Sequence, residues 1–156
     1  FALDRDLGRL ENLVVSTGAR MVVIDPVVAH MGPTVDFHRD QDIRRVLKPL
    51  SKMAEVRGCT IVVIRHLNKD QSAKLMYRGG GSIGLVAAVR TAMVLVKHPQ
   101  SEEDRVLAVY KTNLAKPPRP VMFQHEVVEG EDVTRVRWTQ ESNMTPEQLM
   151  GGGVTA

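Results

Sequence analysis

Two short apolar runs constrain this chain most: Met21-Val22-Val23-Ile24, closed by Asp25-Pro26, and Cys59-Thr60-Ile61-Val62-Val63-Ile64, closed by Arg65-His66. Both are rich in β-branched residues and read as strands buried on both faces, as in a parallel sheet. Before the first run, Leu3, Leu7, Leu10, Leu13 and Val14 recur at helical spacing, and Gly18 stops the pattern. Between the runs, Ile43, Val46, Leu47, Leu50, Met53 and Ala54 mark one face of a second helix that ends at Gly58. Pro49 inside it predicts a kink or a split. Parallel strands need a crossover, usually a helix, so the order helix, strand, helix, strand predicts an α/β fold.

Composition narrows the class. The 156 residues suit one domain with a single core, and 43% hydrophobic with 25% charged residues excludes a disordered or fibrous chain. A net charge of +3 permits a local basic patch without demanding nucleic acid. Cys59 is the only cysteine, so no intrachain disulfide forms and a reducing cytoplasm is the expected setting. No apolar run approaches the ~20 residues that cross a bilayer. The opening Phe1-Ala2-Leu3-Asp4 has neither an initiator Met nor a signal pattern and reads as the continuation of a longer protein.

The remainder is less regular. Residues 27–39 read as a loop, and 68–82 as a polar, Gly-rich segment. A short helix is expected over 83–89 and strands around 91–96 and 105–110. Lys116-Pro117-Pro118-Arg119-Pro120 excludes helix and central strand. Residues 121–128 and 133–139 flank Glu129-Gly130-Glu131-Asp132, a hairpin signal. The expected organisation is a domain over 1–140 and a flexible tail over 141–156.

Two residues stand where chemistry is expected. Asp25 follows a buried strand, at the end where α/β proteins bind ligands; its carboxylate either orients Mg²⁺ or opens the turn before Pro26. His66 follows the next strand and either satisfies a strand end or donates to a phosphate. If the strands are neighbours, Asp25 and His66 meet at one rim. Asp36, His38 and Asp40, with His30 nearby, form a weaker metal-ligand pattern, in which Asp40 equally serves as a helix cap. Trp138 and Tyr77 are too scattered for a base-stacking platform.

Met21-Val22-Val23-Ile24-Asp25-Pro26 resembles a Walker B strand, and Ile64-Arg65-His66-Leu67-Asn68-Lys69 is similar to the sensor segment of RecA-like P-loop ATPases. Arg78-Gly79-Gly80-Gly81-Ser82, Ala87-Ala88-Val89-Arg90 and Val109-Tyr110-Lys111-Thr112-Asn113 resemble later segments of the RepA/DnaB-like branch, in the right order over residues 3–125. The resemblance implies a partial three-layer RecA-like core with a mostly parallel sheet and a C-terminal antiparallel hairpin. It implies ATP and Mg²⁺ as cofactors, Asp25 as the metal-binding residue and His66 as the phosphate sensor. It also implies Lys111 as a trans-acting finger, a homo-hexamer, and single-stranded DNA met by Lys69, Lys74 and Arg78.

The sequence departs from that family in one respect. It contains no G-x-x-x-x-G-K-[ST] and no Gly-Lys pair at all, so the phosphate-cradling backbone and its lysine are absent. The expectation is therefore part of an ATP-hydrolysing motor domain of DNA replication or repair, inactive as this chain alone. The competing expectation is a non-catalytic DNA-binding or assembly module on a degenerate RecA-like fold. A metal-dependent hydrolase built on Asp25, His30, Asp36 and His38 is the third.

Overall fold

The computed structural model describes residues 1–66 and 84–149. The chain divides into two compact units, Phe1–Ala88 and the residues from Val89 onward, where a single core was expected.

The first unit contains helix α1 (Leu7–Thr17), strand β1 (Met21–Ile24), a 3-10 turn at Val27–His30, helix α2 (Asp40–Arg57), strand β2 (Thr60–Val63) and helix α3 (Gly84–Ala88). β1 and β2 pair in parallel, with Met21 opposite Thr60 and Ile24 opposite Val63. The predicted crossover therefore forms, through α2. Its core gathers Leu3, Val14, Ile24, Val27, Ile43, Val46, Leu47, Leu50, Met53, Cys59 and Leu85. Val22, Ile61 and Val63 pack against it.

Both main helices end as the sequence indicates. Gly18 (φ 66°) and Gly58 (φ 59°) adopt the left-handed conformation that closes a helix, and Gly58 N–H returns to the Glu55 carbonyl at 3.3 Å. A Cβ at either glycine would meet nothing within 4 Å, so the cost of a side chain is conformational alone. Gly58→Ala should destabilise the first unit by about 1–2 kcal/mol, measured by urea titration. A loss larger than about 3 kcal/mol would reveal a packing role that this geometry lacks.

Pro49 does not split α2, which runs unbroken over its 18 residues. The lost backbone bond and ring clash cost about 3 kcal/mol. Val46, Leu47, Leu50 and Met53 are buried around that position, each contributing about 1.5–3 kcal/mol. Packing wins. Asp40 is not the N-cap of this helix: Arg39 holds that position, and Asp40 lies in the first turn, where its Oδ1 accepts the Gly84 N–H at 3.1 Å. Near the start of the chain, the Ala2 N–H donates to Asp6 at 2.8 Å and holds that carboxyl below the ordinary aspartate range.

The strands are not buried on both faces as expected. Val22, Ile24, Ile61 and Val63 join the core, whereas Met21 (60%) and Val23 (55%) on the other side of β1 are exposed.

The second unit is an antiparallel sheet of β3 (Thr91–Lys97), β4 (Asp104–Thr112), β5 (Val121–Val127) and β6 (Thr134–Glu141), in that order. Among the described residues the parallel pair is thus the minor part of the strand content, which corrects the expected mostly parallel sheet. The turn at 98–103 is short enough to force β3 and β4 into a hairpin. β5 and β6 form the predicted C-terminal hairpin, turning at Gly130 (φ 82°). Phe123 and Trp138 pair across it, edge to face at 5.2 Å.

In the segment expected as a tail, Ser142 and Leu149 are buried and helix α4 (Pro146–Leu149) adds one turn. Thr145 Oγ1 accepts the Gln148 N–H, and Gln148 Oε1 accepts the Thr145 N–H, a reciprocal capping box. No helix among the described residues is long and apolar enough to cross a membrane.

Candidate functional site

The carboxyl ends of β1 and β2 define the site. Past Ile24, the ladder continues through one residue: Ile64 N–H donates to the Ile24 carbonyl at 2.9 Å, and the Val27 N–H donates to the Ile64 carbonyl at 2.8 Å. Asp25 and Pro26 are therefore held between two backbone bonds to the same residue. Val27 is fully buried and anchors the chain just beyond. The apolar run fixes the strand, and Val27, which sequence reasoning treated only as the start of a loop, fixes the exit.

This frame brings two predicted residues together. His66 Nε2 lies 3.9 Å from Asp25 Oδ1, with the side chains 79% and 53% exposed respectively. The separation is too long for a hydrogen bond. Neither group is consumed by the other, and both remain open to a third partner at the rim. A carboxylate that accepts and an imidazole that can donate, side by side, suit a metal-bound anion.

Lys111 is near the end of β4 in the second unit, where its ammonium donates to the Val89 carbonyl at 2.6 Å. Asn113 returns its backbone N–H to the Arg90 carbonyl at 3.0 Å. Lys69, Lys74 and Arg78, together with Tyr77 and the Gly79-Gly80-Gly81 run, lie outside the described residues.

The weaker metal pattern does not assemble. Asp36 Oδ1 accepts the His38 N–H at 2.8 Å, and the Asp36 N–H donates to Asp42 at 3.0 Å, so these acids order a loop. His30 packs edge to face on Phe1, with ring centroids 5.9 Å apart. No group of three or more His, Cys, Asp or Glu among the described residues is arranged to hold a metal ion. The metal-dependent hydrolase expected from Asp25, His30, Asp36 and His38 is set aside on that geometry.

The first unit thus presents a parallel β-α-β frame with an acid and an imidazole at its carboxyl rim, the place where open α/β sheets take ligands. The family described as AAA domain matches residues 1–72, the stretch that contains β1, α2, β2, Asp25 and His66. That match supports kinship with AAA-type, P-loop-like ATPases and points to a nucleotide-binding ATPase-like module, a kind of protein that uses nucleotide and Mg²⁺. No curated protein matches the chain.

Proposed function

We propose that this chain supplies the metal-positioning and phosphate-reading half of an ATPase site. The observation that carries the reading is the 3.9 Å approach of His66 to Asp25 at the ends of two parallel strands.

The donor set fits Mg²⁺. One half-exposed carboxylate beside an exposed imidazole suits an ion that keeps several waters and takes one or two carboxylates plus phosphate oxygens. Asp25 would hold the ion or its water, and His66 would donate to a terminal phosphate oxygen. When bound, Mg²⁺ neutralises charge on the phosphate oxygens. The backbone cradle and lysine of a P-loop do not occur in these 156 residues, so another segment or another chain supplies them.

The finer picture follows from the sequence resemblance. In a RepA/DnaB-like ring of six copies, ATP hydrolysis is coupled to work on single-stranded DNA, with Lys69, Lys74 and Arg78 meeting its phosphates. Lys111 completes a neighbouring subunit's site, and to do so its ammonium gives up the Val89 carbonyl.

The test uses the protein that joins this chain to a P-loop, within one polypeptide or between subunits. His66→Ala should weaken Mg-ATP binding by about 10-fold or more, in line with the ~1.5–3 kcal/mol of a hydrogen bond to a charged group, and leave Mg-ADP binding close to unchanged. Equilibrium dialysis with labelled nucleotide measures both. Equal losses for ATP and ADP would remove the sensor role, and no loss for either would remove His66 from the site.

A further inference from the structure

We infer that Arg65 is an anion-binding residue of this rim, contacting the polyphosphate of the nucleotide; the inference rests on the function proposed above. Arg65 lies between Ile64, whose N–H and carbonyl are both committed to the ladder, and His66. One of its terminal nitrogens, Nη1, is sealed from solvent and has no hydrogen-bond partner. The residue as a whole is half-buried, so part of its side chain stays within reach of a ligand.

Among the described residues, no other arginine is in this position. Arg20, Arg39, Arg44 and Arg90 are exposed, so water can meet their donors. Arg105, the other half-buried arginine, donates through Nη1 to the carbonyls of Glu102 (2.7 Å) and Asp104 (3.1 Å). The remaining ones are exposed, and their guanidinium groups reach carboxylates, as Arg57 does with Glu11 at 2.8 Å. A guanidinium cannot shed its charge and offers five donors, so drawing one out of water without a partner is unfavourable. A chain that keeps it there gains once an anion arrives.

Polyphosphate is the anion that the position favours. Successive residues of an extended strand alternate sides. Arg65 and His66 are consecutive in the segment that leaves β2, so their side chains take different sides; His66 is the one beside Asp25, at 3.9 Å, and Arg65 takes the other. A ligand with several phosphate groups lying across the strand ends can be held from both sides, by a metal-bound oxygen toward Asp25 and by paired N–H donors from Arg65.

Calorimetric titration of the full chain with tripolyphosphate in EDTA, and again with Mg²⁺, tests this alongside thermal unfolding of each variant. Arg65→Gln should lower tripolyphosphate affinity in EDTA at least 10-fold, with Arg65→Lys retaining part of it. The same variant should unfold at an equal or higher temperature, because an unpaired charge has been removed. Asp25→Asn should erase only the gain brought by Mg²⁺. Unchanged affinity in Arg65→Gln, with Asp25→Asn still erasing the Mg²⁺ gain, overturns the assignment of Arg65 and leaves the function proposed above standing. A wild-type chain that does not bind tripolyphosphate overturns the assignment as well. So does a fall of many degrees in the unfolding temperature of Arg65→Gln, which would mean that the guanidinium serves a partner within the fold.

Discussion

Asp25→Asn should reduce Mg²⁺-dependent ATP turnover by about 10²–10³-fold in a protein that completes the site, the loss seen when one preorganised electrostatic contact to a transition state is removed. That corresponds to about 2.7–4 kcal/mol of barrier. Asparagine keeps the size and one oxygen but removes the charge that holds the ion's hydration shell in place. The backbone around it should not move, since Ile24, Ile64 and Val27 are tied by their own bonds on either side. Because the carboxylate is half exposed, fold stability should shift by no more than about 0.5 kcal/mol. Initial rates across a Mg²⁺ titration separate the outcomes. A turnover that recovers fully at high Mg²⁺ places the residue in ion affinity alone, and an unaltered titration removes Asp25 from the site.

The second large effect is on folding. Ile43→Ala should destabilise the first unit by about 3–4 kcal/mol, within the ~2–5 kcal/mol range for emptying a fully buried aliphatic position. Ile43 is 0% exposed and joins α2 to the core containing Ile24 and Val27, the residues on either side of the Asp25-Pro26 turn. Total stability of such a unit is about 5–15 kcal/mol, so this one truncation removes a large fraction of it. Urea unfolding with the m-value held constant gives the figure. A loss under about 1 kcal/mol would mean that the site around Ile43 collapses to fill the space and that the core does not hold the rim in the way described.

Much of the first unit was legible because its signals are local. Gly18 and Gly58 mark helix ends through a backbone conformation that glycine adopts freely, and the two β-branched runs are separated by a helix long enough for a parallel crossover. The meeting of Asp25 and His66 follows from that order together with register. Other features depend on partners that no local pattern names. Met21 and Val23 resemble buried strand residues in type, yet burial of a face is decided by what packs on it, and the helices take only the side of Val22 and Ile24.

The sheet arrangement depends on partners in the same way. β3 can in principle follow a crossover or begin a hairpin, and the short turn to β4 selects the hairpin. Pro49 carries a local penalty that distant packing outweighs. α4 carried a readable signal, the Thr145 and Gln148 capping pair, which the polar setting of the segment obscured. The Val89 carbonyl that holds Lys111, 22 residues away in sequence, and the sealing of Arg65 Nη1 from solvent are tertiary facts with no sequence signature.

The most direct measurement is paramagnetic relaxation in the isotope-labelled protein that joins this chain to a P-loop, on addition of Mn²⁺ and ATP, Mn²⁺ standing in for Mg²⁺ as an oxygen-preferring octahedral ion. Resonances of Asp25 and His66 should broaden together and first, and Asp25→Asn should abolish the effect at both. Broadening centred on Asp36 and Asp42, or reaching Asp25 without His66, would contradict a shared metal–phosphate rim at the ends of β1 and β2.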